Sequence, residues 1–448
     1  MNRNTLFKVA ACSALVLGTA ACGNGGKTID PKLQIGANPT LPDPQAYLVP
    51  PMKVPSAVGW KPGETPKAAD GLRIEALAQD LLHPRGLYVL PNGDVLIVEA
   101  NGPGGSPTYR PKDIIAGKVK AAGGTTGKGG NRITLVRYGA DGKPALRSVL
   151  LQNLHSPYSV ALVGSDLYVS NTDNIMRFPY ETGQTTITAA GVKFADLPGG
   201  PINHHWTKSM VASADGTKLY VGVGSNSNIT ENGMSAELGR AAIWEFDRQT
   251  GASRIFASGT RNPTSLTWEP TTGKLWAVVN ERDELGPDLV PDYLTSVKEN
   301  AFYGWPYSYY GQHLDPRVKP QRPDLVASAI QPDYALGSHV APLGVTWSGG
   351  ATGLPAGFRS GMFVGQHGSW DRAPVSGYKV VYVPFADGKP SGVPQDVVTG
   401  FLVEGDEHTR GRPVGVAVDK TGALLVADDV GNTVWRVTGA ASTPTAMR

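Results

Sequence analysis

The sequence predicts an all-β fold, a six-bladed β-propeller of four-stranded antiparallel blades. Three observations lead there. A polar leading loop, an alternating apolar run, an Asp-Gly or Asn-Gly type of turn and a second alternating run recur about six times. Glycine and proline number 56 and 36 of 448 residues, above ordinary usage, which suits many short strands joined by turns. Long apolar runs at helical spacing are missing after the first residues, which argues against an extended helical domain.

The copies follow one another along the chain. The first is Pro84-Arg85-Gly86-Leu87-Tyr88-Val89, the turn Pro91-Asn92-Gly93, and Val95 to Glu99. Pro157 to Leu162 with Asp166 to Ser170 makes the second. The third is the stretch Gly200 to Lys208, running through Met210-Val211-Ala212 to Lys218 and Gly224. Asn262 to Trp268 with Lys274 to Val278 is the fourth, and Pro342 to Trp347 with Gly361 to Gly365 the fifth. Arg412 to Ala417, the turn Asp419 to Gly422, and Leu424 to Asp428 close the series. Successive copies stand about 50 to 80 residues apart, too far for one hairpin and right for a blade with variable loops. A sandwich would not need the same leading motif six times, and a closed ring leaves only short, protected edges.

In a propeller the first strand of each blade lines the central channel. The residues leading into the six copies therefore converge at one face: Arg85, Tyr158, His205, Arg261 with Asn262, Pro342 and Arg412. Only the third copy carries a histidine pair, His204-His205, so its mouth is read as the active centre.

The N-terminus has its own pattern. Arg3 and Lys8 flank a short apolar segment from Val9 to Leu17, and Gly18-Thr19-Ala20-Ala21 leads into Cys22. Residues 1–22 read as a secretory signal, too short for a comfortable membrane span. Cleavage before Cys22 would make it a lipidated first residue, with Thr19 where such sites usually have leucine; ordinary cleavage is the alternative. The protein is thus expected to be exported, to the periplasm or outer surface, meeting the membrane only through a lipid anchor. Cys12 and Cys22 are the sole cysteines, so the mature body has no internal disulfide. Residues 23–70 are proline-rich and aperiodic, a tether plus an arm draped over the domain. The propeller is assigned to 71–440, and a tail to 441–448. A net charge of +3 without a basic run gives nucleic acid no electrostatic footprint.

Several motifs resemble the soluble glucose/sorbosone dehydrogenase family, with the sorbosone dehydrogenase branch the more similar. They are His204-His205-Trp206-Thr207, Ser258 to Pro263, Asn280 to Gly286, Asp292-Tyr293-Leu294, Tyr303-Gly304-Trp305-Pro306 and Gly365 to Trp370. The resemblance covers roughly Leu72 to Val437 and implies a six-bladed propeller using pyrroloquinoline quinone (PQQ) and calcium (Ca2+) to oxidise a small sugar, aldose or sorbosone-like substrate. Electrons would pass to a periplasmic carrier, a cytochrome or a quinone. PQQ is planar and bears three carboxylates, so its site needs arginine or lysine and a hard cation. A neutral imidazole suits removal of a hydroxyl proton near pH 7.

On this resemblance His205 is that base, and His204 stands where an acidic orienting partner is usual. Arg261 polarises the reactive carbonyl, with Asn262 and Thr264 in the same cofactor-binding stretch. Arg412 matches the first of two arginines that grip the carboxylates, while Val414 fills the place of the second. The family's fifth-blade lysine has no direct counterpart, and Arg372 is the substitute candidate. Gly286, Pro287 and Asp288 with Asp292 and Tyr303 resemble the calcium loop, in which carbonyls and a carboxylate share the ion. Zinc is not expected, because thiols and an i, i+4 histidine–carboxylate pair are missing. Trp305, Tyr307, Tyr309, Tyr310 and Trp370 fit either sugar stacking or packing between blades. Two rival readings stay open: a calcium-dependent lactone hydrolase on a similar propeller, and a non-catalytic propeller binding carbohydrate or protein.

Overall fold

Period-two alternation pairs each run with the next, and each of the six repeats becomes one antiparallel blade of four strands. The computed structural model describes residues 28–45, 53–103, 117–118 and 121–440; the expected signal segment and Cys22 lie outside the described residues. Blade one contains Pro84–Val89, Val95–Glu99, Arg132–Tyr138 and Pro144–Leu151. Blade three, which carries the histidine pair at its mouth, contains Lys208–Ala212, Lys218–Val223, Ala242–Asp247 and Ser253–Ser258. The ring closes by exchange. Leu72–Ala78, the first long strand, is the outer strand of blade six and pairs with Thr433–Gly439, so the last blade is completed from the chain's beginning.

A small residue near the start of each inner strand explains how six strands fit around one axis. It is Gly86, Ser159, Ser209, Ser265, Gly344 and Gly415 in turn. A Cβ on Gly86 would lie 2.3 Å from the Tyr158 carbonyl oxygen, and one on Gly415 would lie 2.3 Å from that of Arg85. Backbone therefore packs on the backbone of the next blade, and only small residues fit. At the same height the register slips by one residue, between Pro84 and Gly86, Pro263 and Ser265, and Pro342 and Gly344. Bulges of this kind re-aim side chains at strand ends.

Six apolar clusters hold the ring, each between neighbouring blades. Between blades four and five, Phe385 packs edge-on against Trp276 at 5.0 Å and Trp347 at 5.4 Å. The channel they surround encloses about 480 Å³, lined from Arg85 and Tyr158 at one end to Val89, Trp268 and Val418 at the other.

The N-terminal arm lies on this body. Ile35–Gly36 extends blade four, Lys67–Ala68 extends blade five, and Ser56–Ala57 pairs with His408–Thr409. Trp60 anchors it, edge-on to Trp435 at 5.3 Å and Phe401 at 5.8 Å, with its indole N–H donated to Asp428 Oδ2 at 2.7 Å. Trp60→Ala is expected to lower the unfolding free energy by about 2–3 kcal/mol, since the ring is half-buried rather than enclosed. A urea midpoint unchanged from wild type would contradict that anchoring role.

Candidate active site

Side-chain and backbone contacts link the blade mouths in a chain of neighbours. Arg412 meets His367, His367 meets Asp429, and Asp429 meets Arg85. The Arg85 guanidinium lies 5.6 Å from the centre of the Trp206 ring, beside His205 in sequence. His205 meets Ser225, whose N–H donates to the Arg261 carbonyl, and Arg261 meets Asp283. Of the seven expected mouth residues, Tyr158 turns into the channel wall, donating its hydroxyl to Leu343 O at 3.1 Å and packing on Trp206. Pro342 contributes a carbonyl to the wall.

His205 is held by its Nδ1, 2.7 Å from the Ser225 carbonyl oxygen and 3.1 Å from Ser225 Oγ. A carbonyl can only accept, so this nitrogen carries the proton and the neutral ring keeps its lone pair on Nε2. The partner expected to be acidic is an imidazole set edge-on at 4.6 Å, and the His204 backbone N–H is fixed by Asn226 Oδ1. A carbonyl, not a carboxylate, thus orients the base. Gly224 is the residue that allows this closeness: a Cβ there would lie 2.3 Å from Asn262 Oδ1 and 2.6 Å from the His205 Cβ. Asn262 Oδ1 is buried without a hydrogen-bond partner.

Arg261 is buried and aimed by its neighbours. It donates to Asn228 Oδ1 at 3.0 Å, to Glu281 O at 2.5 Å and to Asp283 Oδ2 at 3.3 Å. Asn228 is itself fixed, accepting Asp283 N–H on Oδ1 and the Trp305 indole N–H on its carbonyl. Trp305, Tyr309 and Tyr310 are buried, so packing claims them; Tyr307 and Trp370 remain half-buried. Thr264 corrects an expectation. Its hydroxyl is fully buried and donates to Pro342 O at 2.5 Å, so it joins two blades instead of facing a cofactor.

Arg412 and Arg85 occupy one buried network. Asp429 accepts from Arg85 Nη1 and from His367 Nε2, the latter at 3.1 Å. His367 Nδ1 in turn accepts from Arg412 Nη1 at 3.4 Å, and Arg412 Nη2 donates to the Tyr378 hydroxyl at 2.6 Å. Burial lowers the His367 pKa to about 4 despite Asp429, and burial likewise lowers that of His83 nearby. Both rings are therefore neutral at pH 7, and this set holds two guanidinium charges against one carboxylate. The Nε atoms of Arg85 and Arg412 are both buried without a hydrogen-bond partner. A buried, excess-positive pair with orphaned N–H groups fits an anion.

The neutral His367 also sets a pH dependence. Its folded value lies below the ordinary 6.5, so its contribution is complete above about pH 6.5 and is lost as the pH falls towards about 4. At about 1.4 kcal/mol per tenfold change, the full loss is about 3 kcal/mol. The urea midpoint should fall between pH 7 and 4.5, with a smaller fall in His367→Gln; equal slopes would contradict the assignment.

The calcium loop departs from expectation. Asp288 is paired with Arg372 Nη2 at 2.7 Å and accepts the Ile29 N–H; the Pro287 carbonyl accepts Arg372 Nε at 2.7 Å. Arg372 is thus a clamp on this loop: with its bond to Pro374 O, three of its five N–H donors serve the protein, and its charge is paired with Asp288. Asp292 accepts the backbone N–H groups of Glu281 and Ala341, and Tyr303 donates to Ser296 O. The Gly286 carbonyl accepts His339 Nε2 at 3.1 Å. Each of these five residues thus has an internal partner for the oxygen it would offer an ion. Beside them, Asp283, His339 and Asp371 bring ligand atoms within 4.8 Å of one another. Burial alone would lower the His339 pKa, but Asp371 and Asp283 outweigh it and hold it up at about 10. Burial raises the Asp371 pKa, while Arg261 and His339 draw that of Asp283 down to about 2.

With this geometry established, similarity to known proteins becomes informative. The family model described as TrAA12-like matches residues 130–300 and 321–440, more than half of the chain. The chain belongs to the TrAA12-like family. The TrAA12-like match begins inside blade one, so Arg85 lies outside it. A pyrroloquinoline quinone-dependent pyranose dehydrogenase of Coprinopsis cinerea is 25% identical over 363 residues, covering 70% of this chain and 44% of that protein. An uncharacterized protein of Borreliella burgdorferi is 26% identical over 305 residues, 64% of this chain and 77% of that one. Among solved structures, the holo form of the pyranose dehydrogenase PQQ domain from C. cinerea has a TM-score of 0.68 at 20% identity, covering 86% of this chain and 100% of that one. A calcium structure of a Trichoderma reesei carbohydrate-active enzyme of family AA12 follows at 0.67 and 18%, covering 84% and 97%. At these identities the structural likeness shows the propeller fold. The motif resemblance is to glucose/sorbosone dehydrogenases; the named curated relative with an activity is a pyranose dehydrogenase.

Sequence reasoning did not assign Asn228, Ser225, Asp283, His339, His367, Asp371 or Asp429 to the site, and gave Arg85 no ligand. A signal existed for three of them. In an antiparallel blade the second strand ends where the first begins, so the residues just beyond it reach the same mouth. Ser225, His367 and Asp429 each follow a second strand, after Lys218–Val223, Gly361–Gln366 and Leu424–Asp428.

Proposed function

We propose that this protein is an exported dehydrogenase that oxidises a sugar at a hydroxyl-bearing or hydrated carbonyl carbon, with PQQ as the electron acceptor. The observation that carries the reading is the Arg85–Arg412 pair, buried, in charge excess over Asp429, with both Nε groups lacking partners. That pair fits a polycarboxylate. Its membership in the TrAA12-like family and the named activity of the C. cinerea relative support the choice of PQQ over other anions.

When bound, PQQ supplies a quinone that accepts two electrons with the substrate's hydride. Arg85 and Arg412 would hold its carboxylates, and Arg261 with Asn262 would contact the quinone. The chain's own chemistry is proton removal. His205 takes the hydroxyl proton on Nε2 as the substrate carbon becomes a carbonyl carbon, and the imidazolium so formed keeps its Nδ1–H on the Ser225 carbonyl. The fixed tautomer means that no ring flip precedes the transfer. Calcium is a poor fit to the donor set, since the loop oxygens are engaged and the cluster beside them contains an imidazole; no step is assigned to it. Export and lipidation at Cys22 rest on the N-terminal sequence, and electrons would pass to a periplasmic cytochrome or quinone.

The test is dye reduction by PQQ-loaded protein over a panel of pyranoses, other aldoses and sorbosone. Turnover of at least one substrate above the PQQ-only control supports the reading; none across the panel, with PQQ bound, contradicts it.

A further inference from the structure

We propose that Glu237 is a positioning acid for His205, its carboxylate charge reaching the imidazole through the single peptide group that joins Ser225 to Asn226. The inference rests on the reading of His205 as the base. Both ends of that peptide are engaged. Its carbonyl oxygen accepts the His205 Nδ1–H at 2.7 Å, and its N–H donates to Glu237 Oε2 at 2.6 Å. This peptide is trans, so its C=O and N–H point in opposite directions, and imidazole, peptide dipole and carboxylate stand in series. Negative charge at the N–H end polarises the carbonyl oxygen. That oxygen becomes a stronger acceptor for Nδ1–H and a better partner for the imidazolium formed when Nε2 takes the hydroxyl proton. No proton crosses the peptide: Nδ1 and the Asn226 nitrogen keep theirs.

The surroundings hold this series in place. Ser225, Asn226, Ser227 and Glu237 are all buried. Glu237 ends the short 3-10 helix Met234–Glu237, and its second oxygen accepts the Ser227 hydroxyl. Ser225 Oγ donates to the Ser227 carbonyl at 2.6 Å, and Ser227 Oγ accepts the Thr230 N–H at 2.8 Å, so the turn is tied from both sides. Burial raises the Glu237 pKa, and the Asn226 and Ser227 donors with Arg240 oppose it. Four other titratable or charged residues face His205 or its turn. His204 lies edge-on to the ring, Arg240 Nη1 lies 3.5 Å from the His205 carbonyl, Lys208 donates to the Trp206 carbonyl, and the Arg261 carbonyl takes the Ser225 N–H. Glu231, an exposed carboxylate of the same loop, accepts the Asn228 and Ile229 N–H groups instead. Glu237 is the buried carboxylate of this set, and its charge favours an imidazolium where those of Arg240 and Arg261 oppose one.

The test uses the full chain without PQQ or sugar, with isotope-labelled histidine followed by NMR and the His205 signals assigned by their loss in His205→Gln. Glu237→Gln keeps the side-chain shape, can accept the Asn226 N–H and donate to Ser227 Oγ, and removes the charge. It should lower the His205 titration midpoint by about 0.5–1 pH unit, because the imidazolium loses a favourable charge, while the neutral ring keeps its proton on Nδ1. Glu231→Gln should move the midpoint by less than about 0.2 unit, since exposed charge is screened. In the PQQ-loaded protein, the acid limb of the substrate-reduction rate should move to lower pH with the midpoint. The plateau rate should fall about 3- to 10-fold, with PQQ affinity unchanged. The wild type supplies a measurement that needs no variant to fold: the Asn226 amide signal should move with the His205 titration. An unchanged midpoint in folded Glu237→Gln, equal shifts in the two glutamate variants, or an Asn226 amide silent through the His205 titration would overturn the assignment. Because the midpoint is read without PQQ, a shift there with no turnover of any sugar would contradict the dehydrogenase reading alone.

Discussion

His205→Ala is expected to lower kcat by about 10²- to 10⁴-fold while PQQ still binds with near wild-type affinity, the usual reach of a positioned general base. The expectation follows from tautomer and placement. The Ser225 carbonyl, 2.7 Å from Nδ1, fixes the lone pair on Nε2, and Gly224 lets the ring sit against Asn262. His205→Gln should be nearly as inactive, since an amide bonds to the same carbonyl but accepts no proton at neutral pH. His204→Ala should cost less, because the His205 tautomer is fixed by the Ser225 carbonyl and the His204 ring only meets it edge-on. Rapid-mixing reduction of the PQQ-loaded protein by substrate measures this step. A rate within threefold of wild type in His205→Ala would remove the base from its role.

The second large effect separates two arginines that share one network. Arg412→Ala should weaken PQQ binding by about 100-fold or more, the loss of a buried charge-assisted contact worth about 3 kcal/mol. Its fold should suffer little, since its side-chain partners, Tyr378 and His367, are neutral at pH 7. Arg85→Ala should weaken PQQ binding similarly and also destabilise the fold by about 3–5 kcal/mol, because Asp429 would stay buried without its arginine. Urea unfolding together with a PQQ titration distinguishes the two. Equal stability losses in both variants would contradict the charge assignment.

Much of the architecture was legible because it repeats. Alternation, turn residues and spacing mark six blades, and the small residue from Gly86 through Gly415 recurs in every inner strand for a steric reason. The closing strand Leu72–Ala78 was not legible as part of blade six, since nothing local in it names a partner more than 350 residues away. Convergence of Arg85, His205, Arg261 and Arg412 followed from the fold. What each side chain would meet did not. Arg372 looked like a spare cation until Asp288 was found 2.7 Å from it, and Thr264 like a cofactor contact until its hydroxyl was found on Pro342. The Asp283–His339–Asp371 group joins three loops at no fixed spacing, so no motif could announce it.

The measurement that bears most directly on the central claim is the affinity of the full chain for PQQ, by titration calorimetry, in wild type and Arg412→Ala. The account predicts one saturating equivalent in the wild type and a loss of about 100-fold in the variant, with sugar-dependent dye reduction appearing as the site fills. No saturable binding to the wild type, or equal affinity in both proteins, would mean that the arginine pair does not hold the cofactor.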